Sequence, residues 1–122
     1  MNLLEERESN RLELIHLADD MLHGKVYLIE GVRKICSLRH AVGDPDNDVF
    51  MPIRAIDSET DHYSLGKMRS HCAVEYLERM DREIALYLDD AKQDILDACS
   101  EIIKVFSSPA VPDEQINGVR FD

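Results

Sequence analysis

Apolar residues recur three and four positions apart through three long segments of the chain. In the first, Leu4, Leu12, Ile15, Ala18, Met21 and Leu22 keep that spacing, which predicts an amphipathic helix from about Ser9 to His23 with Gly24 as its stop. A second helix reads through Val26, Leu28, Ile29, Val32, Ile35, Cys36, Leu38 and Val42 and ends near Gly43, with the turn-forming Asp44-Pro45 behind it. Its cations Arg33, Lys34 and Arg39 fall in the C-terminal half, where the helix dipole favours positive charge. A third helical region is expected from Ser64, placed as an N-cap, to about Phe106. Its apolar stripe of Leu65, Met68, Cys72, Tyr76, Met80, Ile84, Tyr87, Leu88, Ala91, Ile95, Cys99, Ile102 and Phe106 holds one phase. Such a helix is about 60 Å long against an expected radius of gyration of about 14 Å, which leaves open a kink or break near Arg79 to Arg82, where Asp81 can cap a second piece.

Between the second and third helices the periodicity fails. The stretch from Asp44 to Gly66 contains Pro45 and Pro52 and the polar run Asp57-Ser58-Glu59-Thr60-Asp61-His62. It reads as a long acidic loop, ordered because Phe50, Ile53 and Ile56 anchor it on the helices. Six acids, Asp44, Asp46, Asp48, Asp57, Glu59 and Asp61, face only Arg54 there, a formal charge of −5. After Ser107-Ser108-Pro109 the pattern is lost, and Pro112, Asp113, Asn117 and Gly118 mark an irregular tail. The expected fold is all-α: one helical domain over residues 1–108, three or four helices around one core with a long C-terminal helix, then an irregular tail over 109–122.

Charge narrows the function classes. The net charge is −11 and the isoelectric point is near 4.8, so a phosphate-rich or anionic membrane surface repels the chain, and a basic protein is the natural counterpart. Neither a run of the roughly 18 apolar residues needed to span a bilayer nor a basic secretion leader is present in the sequence, and a cytoplasmic location is expected. The three cysteines, Cys36, Cys72 and Cys99, each fall in phase with apolar neighbours and are expected as reduced core thiols.

Chemistry-bearing patterns are sparse. Asp44, Asp46 and Asp48 open like a calcium loop, but Val49 stands where the loop needs Gly and Ala55 where it needs a bidentate Glu. His16, Asp19, Asp20 and His23 share one side of a helix without a second ligand set to complete a coordination sphere, so no metal and no cofactor is expected. Arg33 and His40, in RKICSLRH, resemble the Arg-x(4–6)-His motif of the HEPN family of helical ribonucleases, in which Arg polarises the phosphate and His moves a proton. Here Lys34 replaces the usual polar residue after the Arg, and the acidic surface opposes RNA.

The segment RAIDSETDHYSLGKMRSH, after a helix ending GVRKICSLRH, resembles a pattern in small helical bacterial proteins: a helix with Gly and Arg, an Ile-Asp-Ser-Glu-Thr-Asp-His stretch, then Gly-x-x-Arg opening a long helix. In general character the chain also resembles the immunity proteins of contact-dependent inhibition and polymorphic toxin systems, which bind and block a cognate toxin, often a nuclease. That likeness implies a non-enzymatic inhibitor whose acidic surface meets a basic toxin domain. The residues expected at such an interface are Asp44, Asp46, Asp48, Asp57, Glu59 and Asp61, with Phe50 or Tyr63 as an aromatic anchor. Two alternatives stand beside it: a ribonuclease or nucleotide-handling domain using Arg33, Arg39, His40, Arg69 and His71, and a scaffold that oligomerises through the long C-terminal stripe.

Overall fold

The computed structural model describes residues 2–107, and the tail expected over 109–122 lies outside them. Those residues are helical with no strand among them, in the order α1 (Leu3–Leu22), α2 (Leu28–Ala41), α3 (Met51–Thr60) and α4 (Val74–Ser107), with short 3₁₀ turns at Asp48–Phe50 and Gly66–His71. The all-α architecture with a long C-terminal helix is as predicted.

Helix α1 starts six residues before the predicted Ser9, because Asn2 caps it: its side-chain oxygen accepts from the Glu5 amide at 2.9 Å. Glu5 and Glu6 in the first turn suit the positive end of the dipole. At the other end Gly24 adopts φ +71°, and the Lys25 amide reaches back to the Asp20 carbonyl at 2.9 Å, a Schellman closure that a side chain at Gly24 would strain. Helix α2 crosses α1 at Gly31, where an added Cβ would lie 2.5 Å from Met21 Sδ. The missing side chain at Gly31 is what leaves room for the Met21 side chain in the core.

The predicted acidic loop is the main correction. Asn47 accepts from the Val49 amide at 3.0 Å and opens the 3₁₀ turn, and Pro52 sits in the first turn of α3, where its missing N–H leaves no intrahelical bond unmade. Phe50, Ile53, Ile56 and Thr60 then form a helical stripe of buried residues. The polar run that suggests a turn is the solvent-facing side and last turn of that helix. Thr60 is buried because its hydroxyl donates back to the Ile56 carbonyl at 2.7 Å.

Helix α4 is also shorter than predicted and unbroken. Ser64 does not cap it; residues 66–71 form the 3₁₀ turn instead, and α4 begins at Val74 and runs through Arg79–Arg82 without interruption for 34 residues, about 50 Å. Asp81 caps nothing: it receives both Arg69 Nη atoms at 2.9 and 3.0 Å and so ties the 3₁₀ turn to the helix. Residues along α4 serve two apolar clusters. Ala91, Ile95, Ala98, Cys99, Ile102 and Phe106 meet Leu14, Ala18, Met21, Val32, Ile35, Phe50, Ile53 and Ile56 in the main core, while Met80 and Ile84 meet Ile29 and Tyr63 in a smaller one. Most of the stripe that a scaffold would use to oligomerise is therefore spent inside the chain. Among the described residues no helix is long and apolar enough to cross a membrane.

Candidate functional site

The structure separates the expected interface residues. Asp44, Asp46, Asp48, Glu59 and Asp61 are exposed and Asp57 is half-buried. Asp44 Oδ2 accepts from Asn47 Nδ2 at 2.9 Å, and Asp46 lies 3.7 Å from Arg54. Neither expected aromatic anchor is available at the surface. Phe50 is fully buried with its ring 5.6 Å from that of Phe106, and Tyr63 is only 8% exposed, packed in the smaller cluster. Phe50 begins the buried stripe of α3, and Tyr63 follows that helix where Arg33 holds the chain, so both turn inward.

The residues of the ribonuclease alternative are engaged elsewhere. Arg33 Nη2 donates to the carbonyls of Thr60 at 2.5 Å and Tyr63 at 2.8 Å, so it closes the C-terminal end of α3. Arg39 Nη1 donates to the Pro45 carbonyl at 2.8 Å, and Arg69 holds Asp81. His40 and His71 are exposed, and the His62 ring packs 4.1 Å from that of Tyr63. His23 Nδ1 faces its own helix, 2.8 Å from the Asp19 carbonyl, and among the described residues no three His, Cys, Asp or Glu side chains converge as a metal site would require. Burial pushes the thiols of Cys36 and Cys99 up to about 11, so both stay protonated at neutral pH.

What the fold builds is a groove between α3 and α4. Glu59 touches Tyr87 while Phe50 stacks on Phe106, so the two helices run antiparallel, and they lie apart along one side. The space between them is about 970 Å³. Its floor is apolar and shallow-sided: Val49, Pro52, Ala55 and Ile56 from the α3 side, Ala91, Ala98 and Val105 from α4. Alanine at these positions is what leaves the room.

The rim carries six carboxylates, Asp48, Glu59, Asp90, Asp94, Asp97 and Glu101, and among the described residues neither Lys nor Arg lines the groove. None of the six makes an ion pair with a described Lys or Arg. Their only side-chain hydrogen bonds to described residues are Glu59 with the Tyr87 hydroxyl at 2.5 Å and Asp97 with Gln93 at 2.9 Å. Partial burial and then the hydrogen bond to Glu59 hold the pKa of the Tyr87 phenol well above its ordinary value, which fixes it as a protonated donor. That bond fastens the end of α3 to the middle of α4.

Two of the six expected acids, Asp48 and Glu59, belong to this rim, and the other four do not. Sequence reasoning missed the four acids of α4. The signal is present: Asp90, Asp94, Asp97 and Glu101 are spaced four, three and four, which puts them on one helix face beside Ala91 and Ala98. Comparison of the chain with protein-family models, with curated proteins and with solved structures returned no match.

Proposed function

We propose that this chain is a non-enzymatic inhibitor that binds a basic protein domain, in the manner of an immunity protein facing a nuclease toxin, and that the α3–α4 groove is its binding face. The observation that carries the reading is the combination of an apolar floor with six rim carboxylates and no cation lining it among the described residues. Fixed like charges on both banks repel one another until a cationic partner arrives, so their field speeds encounter and rejects anionic surfaces. The floor supplies the apolar contact from which most of the affinity of such an interface comes. A nuclease domain carries a basic surface because it must hold phosphates, and the same surface suits these carboxylates. The alternative in which Arg33 and His40 act on a phosphodiester has no observation in its favour, since the Arg33 hydrogen bonds go to backbone carbonyls.

The test is capture of the partner by the full chain, followed by kinetics and a nuclease assay on the captured protein. The expected partner is basic, and its nuclease activity falls in proportion to bound chain. Replacing Asp90, Asp94 and Asp97 together by Lys is expected to slow association roughly tenfold or more at low salt and to flatten its salt dependence. An unchanged association rate would remove the groove from the interface, and a partner without excess positive charge would end the proposal.

A further inference from the structure

Resting on that reading, we infer that the part of the partner held in the groove is a basic amphipathic helix of about three turns, lying along α4. Three features lead there. First, both walls of the groove are helices, whose backbone groups are already paired within themselves, so an extended peptide laid between them would leave its own amides and carbonyls without protein partners. A helix satisfies its backbone internally and needs only side-chain contact. Second, Asp90, Asp94, Asp97 and Glu101 span eleven residue steps, about 16 Å, in steps of three and four. Lysines or arginines at the same steps on a neighbouring helix meet them rung by rung, while the apolar face of that helix enters the floor. Third, Ala55, Ala91 and Ala98 present only a Cβ to the groove, which allows a helix axis to approach to within the roughly 8–10 Å of ordinary helix packing.

Charge selects among the occupants. A second copy of the chain brings a net charge of −11 to an acidic rim. Residues 108–122 of the chain itself carry Asp113, Glu114 and Asp122 against Arg120 alone. Both are repelled by the rim, and a cationic helix from another protein is attracted.

The experiment uses the full chain and a fluorescent synthetic peptide of fifteen residues, with lysines at positions one, five, eight and twelve, leucine and alanine on the adjoining face, and a hydrocarbon staple to hold it helical. Its counterparts are a peptide of the same composition with two D-residues that break the helix, and a stapled peptide with glutamine for each lysine. Fluorescence anisotropy is expected to show the stapled basic peptide binding at least roughly tenfold more tightly than either counterpart, a difference of about 1.4 kcal/mol. Ala55→Trp, at an exposed position that fills the groove, abolishes that gain; Asp94→Lys with Asp97→Lys does the same without added bulk. Equal binding of the basic helical and broken peptides would overturn the helix while leaving the basic partner standing. Equal binding of the glutamine peptide would overturn both. Binding untouched by either variant, or displacement by a peptide of residues 108–122, would take the helix out of this groove or give the groove to the chain's own tail, and either result overturns the inference.

Discussion

Replacing Arg33 by Met removes the cation that closes α3 while keeping the length of the side chain that reaches from α2 toward the end of α3. Two hydrogen bonds are lost, to the carbonyls of Thr60 and Tyr63, at the end of a helix whose last residue is buried. A hydrogen bond from a charged donor contributes about 1.5–3 kcal/mol, and carbonyls left bare in a partly buried position cost further. Water reaches one side of the site, since Arg33 is only half-buried, so the pair together is worth about 2–3 kcal/mol rather than the full sum. With an unfolding entropy near 0.2 kcal/mol per degree for a domain of this size, the melting temperature should fall by roughly 10 °C. Arg33→Lys should recover part of the loss, because one ammonium cannot reach both carbonyls with the geometry of a guanidinium. Differential scanning calorimetry gives the melting temperature. Hydrogen exchange gives the location, with faster exchange at residues 56–60 than in α1. If Arg33→Met melts with the unaltered chain, the closing role assigned to Arg33 is wrong.

Two other outcomes follow from the core and its thiols. Phe50→Ala should destabilise the fold by about 3–5 kcal/mol in a chemical denaturation experiment, since it empties the junction of α3 and α4 where the ring meets Phe106; a loss under about 1 kcal/mol would contradict its core placement. For Cys36 and Cys99, whose folded thiols are raised to about 11, the unfolded chain loses these protons first as pH rises, so their contribution to stability is complete below about pH 9 and is lost between about pH 9 and 11. The slope from Cys99 is at most about 1.4 kcal/mol per pH unit and that from half-exposed Cys36 is smaller. Cys99→Ala should flatten the curve, and equal curves for variant and unaltered chain would refute the assignment.

The elements legible in the sequence are those whose signals are local. Gly24 and Gly43 both take positive φ at a helix end, and the apolar phase of α4 persists because one face of that helix stays inside along nearly its whole length. Helix α3 was hidden because its signals point two ways. Phe50, Ile53 and Ile56 keep helical spacing, yet Pro52 is compatible with a helix only in its first turn, and Asp57 to Asp61 are residues that turns also favour. The neighbour that decides the matter, Arg33, lies 27 residues from Thr60. The groove was beyond a local reading for the same reason: Glu59 and Tyr87 are 28 residues apart, and nothing short of the antiparallel packing of α3 on α4 brings their banks together.

The alanines in the cleft have an evolutionary corollary. Ala55 is exposed, so its replacement by a longer residue reshapes the opening while the scaffold keeps its core and its caps. If the groove binds as proposed, its specificity can thus diverge by single substitutions at low folding cost. The frame stays constant while the lock is recut.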